Sequence, residues 1–314
     1  MTTRRSLALS TLLFSTVATS AIAQSPQFPQ PPTATAVRTA TAPTIDGRLS
    51  DPVWQTATPL TGFVQREPVE GQPASERTDI RVLFDDDAMY IGAWLFDRTP
   101  SAIVMGDQRR DASLDQSDAV QILIDTYRDR QNGFVFATNP NGIEYDGQVA
   151  NEAQSGATGG GLQQSGSGGG FNLNWDGQWT VATTMDEWGW YAEMRIPFST
   201  LRYPKGGAQI WGLNVSRHVR RRNEQSYWAP IPRQFNLHRV SLAGELTGLR
   251  APARRVITAT PYVLGEAFRD FRTQPSTDGS AAIGLDGKIG VTQSLALDVT
   301  INTDFAQSCL WGFR

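Results

Sequence analysis

Residues 80–96 read Ile80-Arg81-Val82-Leu83-Phe84-Asp85-Asp86-Asp87-Ala88-Met89-Tyr90-Ile91-Gly92-Ala93-Trp94-Leu95-Phe96. Two runs rich in β-branched and aromatic residues flank three aspartates, and this pattern predicts a β-hairpin with an acidic turn. The same grammar recurs at 119–124, 133–138, 177–184, 189–196 and 210–217. Between Thr39 and Leu249 a sustained helical period is almost absent, so the expected fold class is all-β, an antiparallel β-sandwich of jelly-roll type. Residues 185–191, with Trp188-Gly189-Trp190, are expected to join two antiparallel strands, and Pro197 to open a short helical turn over 197–201.

Composition agrees with a packed β domain. Of 314 residues, 39% are hydrophobic and 19% charged, which excludes a disordered or collagen-like chain. The 28 Lys and Arg against 31 Asp and Glu leave a net charge of −3, with no long basic run, so no nucleic-acid partner is expected. A single cysteine, Cys309, forms no intramolecular disulfide, and two histidines, His218 and His238, are too few for a zinc site built on His and Cys.

The first 23 residues have the order of a secretory signal. Arg4 and Arg5 precede an apolar stretch over 7–18, and Ala21-Ile22-Ala23 presents small residues two apart. The apolar run is too short to span a bilayer. The mature chain is therefore expected to begin at Gln24 and to be exported, to the periplasm or the outer membrane. Residues 24–38 read as a tether, polar and proline-rich at first. The stretch 155–170, mostly Gly, Ser and Gln, reads as a loop too poor in apolar residues to pack.

Past Leu249 the texture changes. Residues 255–266, 281–291 and 295–302 show period-2 alternation, as in Leu295-Leu297-Val299-Ile301 against Ala296-Asp298-Thr300-Asn302. This is the alternation of a membrane β-barrel strand, and equally that of more strands in a soluble sandwich. Three strands alone cannot close a barrel.

Several motifs, in order, resemble one family. Ile45-Asp46-Gly47-Arg48-Leu49-Ser50-Asp51-Pro52-Val53-Trp54 is similar to the opening signature of family 9 carbohydrate-binding modules. The hairpin at 82–91, the segment 118–125, Asn139-Pro140-Asn141-Gly142 and the run 190–198 continue the likeness across about residues 40–248. The whole arrangement resembles bacterial envelope proteins in which such a DOMON-like sandwich precedes an outer-membrane β-barrel. The resemblance implies domains at 39–249 (the carbohydrate-binding-like sandwich) and 250–307 (the start of a barrel), the latter holding Pro261-Tyr262-Val263 and Asp304-Phe305-Ala306-Gln307. The tail 308–314 breaks the alternation, and the expectation is a truncated or frame-shifted form of a longer protein.

The resemblance further implies a polysaccharide or oligosaccharide ligand, in a family linked to xylan and cellulose breakdown, with two aromatic rings clasping the sugar. Sugars need flat apolar faces and planar donors or acceptors. Trp175, Trp179, Tyr227 and Trp228 sit beside loops and polar residues and are the candidates, although packing is an alternative for each. Trp54, Trp94, Trp190 and Trp211 lie in apolar-alternating segments and are expected in the core. Arg109 and Arg217 are the candidate polar contacts. The dense run Arg217-His218-Val219-Arg220-Arg221-Arg222 reads either as a solvated hairpin tip or as a contact for acidic polysaccharide or lipopolysaccharide phosphate. Asp85, Asp86 and Asp87 offer hard oxygen ligands for calcium, which related modules bind, or else form a solvated turn.

No catalytic constellation is seen. The chain lacks a Gly-x-Ser-x-Gly elbow, a P-loop and a Gly-x-Gly-x-x-Gly, and no local pattern selects a carboxylate pair. The leading expectation is a non-catalytic carbohydrate-binding module. Two alternatives stand beside it: a b-type cytochrome-like sandwich using Met89, Met105, Met194 or His218 as haem ligands, and a structural cap of a barrel.

Overall fold

The structure is a computed structural model that describes residues 31–153, 170–252, 257–270, 276–290 and 296–301. The signal at 1–23, residues 154–169 of the glycine-rich stretch, Asp304 to Gln307 and the tail 308–314 lie outside the described residues. Among the described residues seventeen strands are present: β1 (Thr33–Thr35), β2 (Val37–Arg38), β3 (Val64–Glu67), β4 (Thr78–Phe84), β5 (Ala88–Phe96), β6 (Ala119–Asp125), β7 (Gly133–Thr138), β8 (Tyr145–Val149), β9 (Phe171–Asn172), β10 (Thr180–Met185), β11 (Gly189–Pro197), β12 (Gln209–Val219), β13 (Glu224–Tyr227), β14 (Gly244–Leu249), β15 (Ile257–Asp270), β16 (Ser276–Gly290) and β17 (Ala296–Ile301). Among the described residues no helix is long and apolar enough to cross a membrane, which says nothing of a β-barrel.

The expected sandwich is present. One sheet runs β1-β14-β12-β6-β7-β8-β9, with β13 bridging β12 and β3, and the other runs β10-β11-β5-β4-β2. The quoted hairpin is β4 and β5, closed by the Phe84–Met89 pair. Its alternation sends Ile80, Val82 and Phe84, with Met89, Ile91, Ala93 and Leu95, into the inter-sheet core. There they meet Val120, Ile122, Ile124, Trp211, Leu213 and Val215 from the larger sheet. Trp54, Trp190 and Trp211 are fully buried, while Trp94 is half-buried and meets Trp54 edge-on at 6.1 Å.

Three sequence expectations are corrected. Residues 33–35 and 37–38 of the tether expected over 24–38 are strands, since β1 pairs parallel to β14 and β2 pairs parallel to β4, and the two sheets are mixed. Burial of Ala34 and Ala36 in the core and the Ala36 N–H bond to Thr247 O (2.8 Å) hold that segment as it passes from one sheet to the other. The short turn expected over 197–201 is present in the bonds Thr200 N–H to Pro197 O and Leu201 N–H to Phe198 O, but Pro197 closes β11 and does not open a helix. The turn at 185–191 is tighter than expected, since Trp190 is already paired with Met185 inside the β10–β11 ladder.

Both outer faces of the sandwich are covered. On the smaller sheet, residues 45–57 lay Leu49, Trp54 and Ala57 over Leu83 and Tyr90. The cover is fastened by Glu193 of β11: its Oε2 accepts the Asp46 and Gly47 N–H groups (2.9 and 2.7 Å), and its Oε1 accepts Trp54 Nε1–H (2.9 Å). Burial pushes the Glu193 carboxyl above the usual carboxylate range while those donors pull it back. Gly47 has φ +81° and lies against the Thr183 backbone, where a Cβ would sit 2.7 Å from the carbonyl carbon. Only glycine fits both constraints. On the larger sheet, Ile231, Leu237 and Val240 of the loop after β13 pack over Leu123, Val135 and Val149.

Strands β15, β16 and β17 form a separate antiparallel meander. Val263 pairs with Ile283, and Leu285 and Val299 share their face by register; all four side chains are exposed. Thr260, Tyr262, Gly284 and Thr300 occupy the other face, with the Tyr262 ring lying over Gly284. No closed barrel is formed among the described residues.

Candidate functional site

The aromatic residues named from sequence are mostly interior. Trp179 is buried, donates Nε1–H to Asp146 Oδ1 (3.0 Å) and meets Phe136 edge-on at 5.3 Å. Tyr227 is buried in the cluster beneath the outer loop, and Trp228 is buried in the main core, its ring against Gly244. These three rings offer no open face to a ligand. Trp175 is half-buried, its ring 5.1 Å from Phe134 and 5.9 Å from Phe136.

The basic run is built into the protein. Arg217 is fully buried: Nη1 donates to Arg77 O (2.7 Å) and Thr78 Oγ1 (2.9 Å), and Nη2 donates to Phe96 O (2.6 Å). Burial draws its guanidinium down to about 10, against the pull of Asp118, Asp97, Glu76 and Glu224. Arg221 pairs with Asp97 and with Glu76 (2.8 Å), so the carboxylates of the loops around β4, β5 and β6 consume this charge. Neither a solvated tip nor a free anion site describes Arg217 or Arg221. Arg109 is exposed and paired with Asp107 at 2.7 Å.

The three aspartates are a turn. Asp85 Oδ1 accepts the N–H groups of Asp87 (2.7 Å) and Ala88 (2.8 Å), and its Oδ2 accepts the Tyr90 hydroxyl (2.7 Å). Asp86 is exposed and pairs with Arg38 at 2.7 Å. Among the described residues no group of three or more His, Cys, Asp or Glu side chains is arranged to hold a metal ion. Of the haem-ligand candidates, Met89 and Met194 belong to the inter-sheet core, Met105 to an exposed loop and His218 to β12.

An open cleft of about 340 Å³ lies at the edge of the larger sheet. The β6–β7 turn supplies Tyr127 and Asn132, β7 supplies Phe134, the end of β8 supplies Gln148, β9 supplies Asn172, and the β11–β12 connection supplies Arg202. Tyr127 is 40% exposed, whereas Phe134 is a buried core residue whose ring lies 5.1 Å from that of Trp175. Asp125 shapes the turn, accepting the Arg130 N–H at 2.8 Å, and Asp129 accepts those of Gln131 and Asn132 at 2.8 Å each. Neither the Arg202 guanidinium nor the Gln148 amide has a side-chain partner among the described residues, and no carboxylate lines the cleft. One exposed aromatic, Tyr127, beside planar amides and one guanidinium is a set of groups suited to a sugar ring and its hydroxyls. None of these cleft residues was selected from sequence; the available signal was Tyr127, an aromatic in the polar turn 126–132 between two strands.

A carbohydrate-binding module of family 9 from Caldicellulosiruptor kristjanssonii in complex with glucose is similar at 16% identity and a TM-score of 0.47, covering 69% of this chain and 95% of that one. A complex of a family 9 module from the same organism with cellotriose aligns at 17% identity and a TM-score of 0.46, covering 71% and 95%. No curated protein matches the chain. The model of the family described as carbohydrate family 9 binding domain-like matches residues 45–225, from the cover over the smaller sheet to β13, and the chain belongs to that family.

Proposed function

We propose that the protein is a non-catalytic carbohydrate-binding module that takes a polysaccharide or oligosaccharide in the cleft of Tyr127, Phe134, Gln148, Asn172 and Arg202. The observation that carries this reading is the lining of the cleft: aromatic, amide and guanidinium groups with no carboxylate. Glycoside hydrolysis requires a pair of carboxylates across the scissile bond, so this lining suits holding a sugar and not cleaving it. Neutral oligosaccharides of the xylan and cellulose classes are the first ligands to try, because the two similar structures carry glucose and cellotriose.

Export to the bacterial envelope completes the proposal. It is supported by the charged, apolar and small-residue order of the first 23 residues. Attachment to an outer-membrane barrel through β15 to β17 is supported by the exposed Val263 (77%), Ile283 (74%), Leu285 and Val299 on one face of that meander, the face a membrane strand turns to lipid.

Calorimetric titration with xylo- and cello-oligosaccharides tests the site. Saturable binding weakened at least tenfold by Tyr127→Ala, with far-UV dichroism unchanged, is the expected result. Binding that survives both Tyr127→Ala and Arg202→Ala at full affinity refutes the cleft.

A further inference from the structure

A second cleft, of about 350 Å³, lies on the other side of the turn formed by residues 150–153. Ala150 lines the first cleft, and Glu152 and Ala153 line the second, so one turn contributes to both. The second cleft is lined by Arg66, Arg233 and Arg239, with Phe235 and Asn236. Its arginines are fixed to different degrees. Arg239 pairs with Glu152 at 2.9 Å and lies 4.6 Å over the Phe235 ring. Arg66 donates Nη1–H to Phe235 O (2.8 Å) and pairs with Glu67 (2.6 Å), but its Nε is buried without a hydrogen-bond partner. Arg233 is exposed; Glu70 meets its backbone N–H at 3.1 Å, and its guanidinium has no ion-pair partner among the described residues. Glu67 and Glu152 thus pair with Arg66 and Arg239, and Arg233 is the lining arginine left without an ion-pair partner among the described residues.

We infer that this cleft binds the carboxylate of an acidic sugar, a uronic acid residue in the glycan held by the neighbouring cleft. Arg233 is the exposed guanidinium of this cleft without an ion-pair partner among the described residues, and a planar carboxylate matches its two-pronged geometry. The adjoining Arg202, unpaired in a cleft without carboxylates, favours the same charge on the glycan. The inference rests on the carbohydrate reading of the first cleft.

The test is titration of the full chain with a neutral xylo-oligosaccharide and with one of the same length bearing a uronic acid, at low and high salt. The acidic ligand is expected to bind about tenfold more tightly at low salt, the factor given by one charge-assisted hydrogen bond of modest strength. That preference is expected to fall to about onefold in Arg233→Gln, to invert in Arg233→Glu, and to shrink at high salt. Equal affinity for the two ligands overturns the inference and leaves the carbohydrate reading intact. Preference that persists in both variants overturns the assignment to this cleft. Displacement of the acidic ligand by equimolar inorganic phosphate makes it a general anion site and overturns the sugar assignment, and binding of neither ligand overturns both readings.

Discussion

Glu193→Gln tests the fastening of residues 45–57 to the smaller sheet. The replacement keeps shape but exchanges one acceptor oxygen for an NH2 group, where the carboxylate accepts from three donors: the Asp46 and Gly47 N–H groups and Trp54 Nε1–H. The amide oxygen can serve the two backbone donors, in which case its NH2 confronts the indole, or the reverse. Either way at least one buried donor is orphaned, at about 1–3 kcal/mol, and the surviving bonds lose their ionic assistance, about 1 kcal/mol more. Release of a desolvated charge, the cause of the raised Glu193 pKa, offsets about 1 kcal/mol. The net expectation is a loss of about 2 kcal/mol, or about 4–8 °C in Tm for a domain of this size.

The assay is urea unfolding followed by far-UV and near-UV dichroism. Because Trp54 Nε1 is the donor most easily removed, the double variant Glu193→Gln, Trp54→Phe should couple by about 1–2 kcal/mol, the second change costing less in the Gln background. A Glu193→Gln midpoint within 0.5 kcal/mol of the parent, or strict additivity with Trp54→Phe, refutes the idea that this carboxylate clamps the cover.

Other outcomes follow from the same geometry. Gly92→Ala places a Cβ 2.7 Å from Leu49 Cδ2 and 3.0 Å from the Trp54 ring, so it should cost about 1–3 kcal/mol by overpacking in the same unfolding assay. Arg217→Met should cost about 3–5 kcal/mol, because it strands the Arg77 and Phe96 carbonyls and the Asp118 carboxylate, whereas Arg109→Ala should leave Tm unchanged. His238 is stacked 4.3 Å from Phe171, and burial draws its pKa from 6.5 to about 4. The unfolded chain therefore binds that proton first, so this contribution is present above pH 6.5 and is lost as pH falls toward 4, about 3 kcal/mol in all. His238→Phe should flatten the stability difference between pH 7 and pH 4 by that amount; an unchanged slope would exclude the effect.

The sandwich was legible because its strands announce themselves locally. In β4 and β5 the alternation that fills the core lies within seventeen consecutive residues, and the turn residue Asp85 bonds amides two and three positions on. The parallel pairing of β1 with β14 joins residues more than 200 positions apart, and no local pattern encodes it. The same distance problem explains the aromatic assignments. Trp179 stands among polar residues in sequence, yet its Nε1–H finds Asp146, thirty-three positions earlier, and that bond is what permits an indole to be buried. Arg217 looked like part of a solvated run because the carboxylates around it, Glu76, Asp97 and Asp118, arrive from other strands' ends.

These misassignments share a structural cause, and it bears on where a ligand can lie. A sheet face is a flat platform for a sugar only if it is open, and here both outer faces are closed, one by the cover carrying Leu49 and Trp54, the other by the loop carrying Ile231, Leu237 and Val240. Covering two faces and filling the space between them consumes large aromatic side chains: Trp54, Trp190, Trp211 and Trp228 all go to packing. Tyr127 stays 40% exposed in the β6–β7 turn, which Asp125 and Asp129 hold through backbone bonds. Trp188 is also exposed, at 63%, but it sits at the β10–β11 turn beside Asp186 and lines neither cleft. On the proposed reading, recognition falls to Tyr127 and Arg202 at the rim of the larger sheet and to Arg233 on the loop that covers it, the side chains that packing leaves uncommitted. A substitution on either covered face should change stability without changing ligand selectivity, and a substitution at the rim should do the reverse.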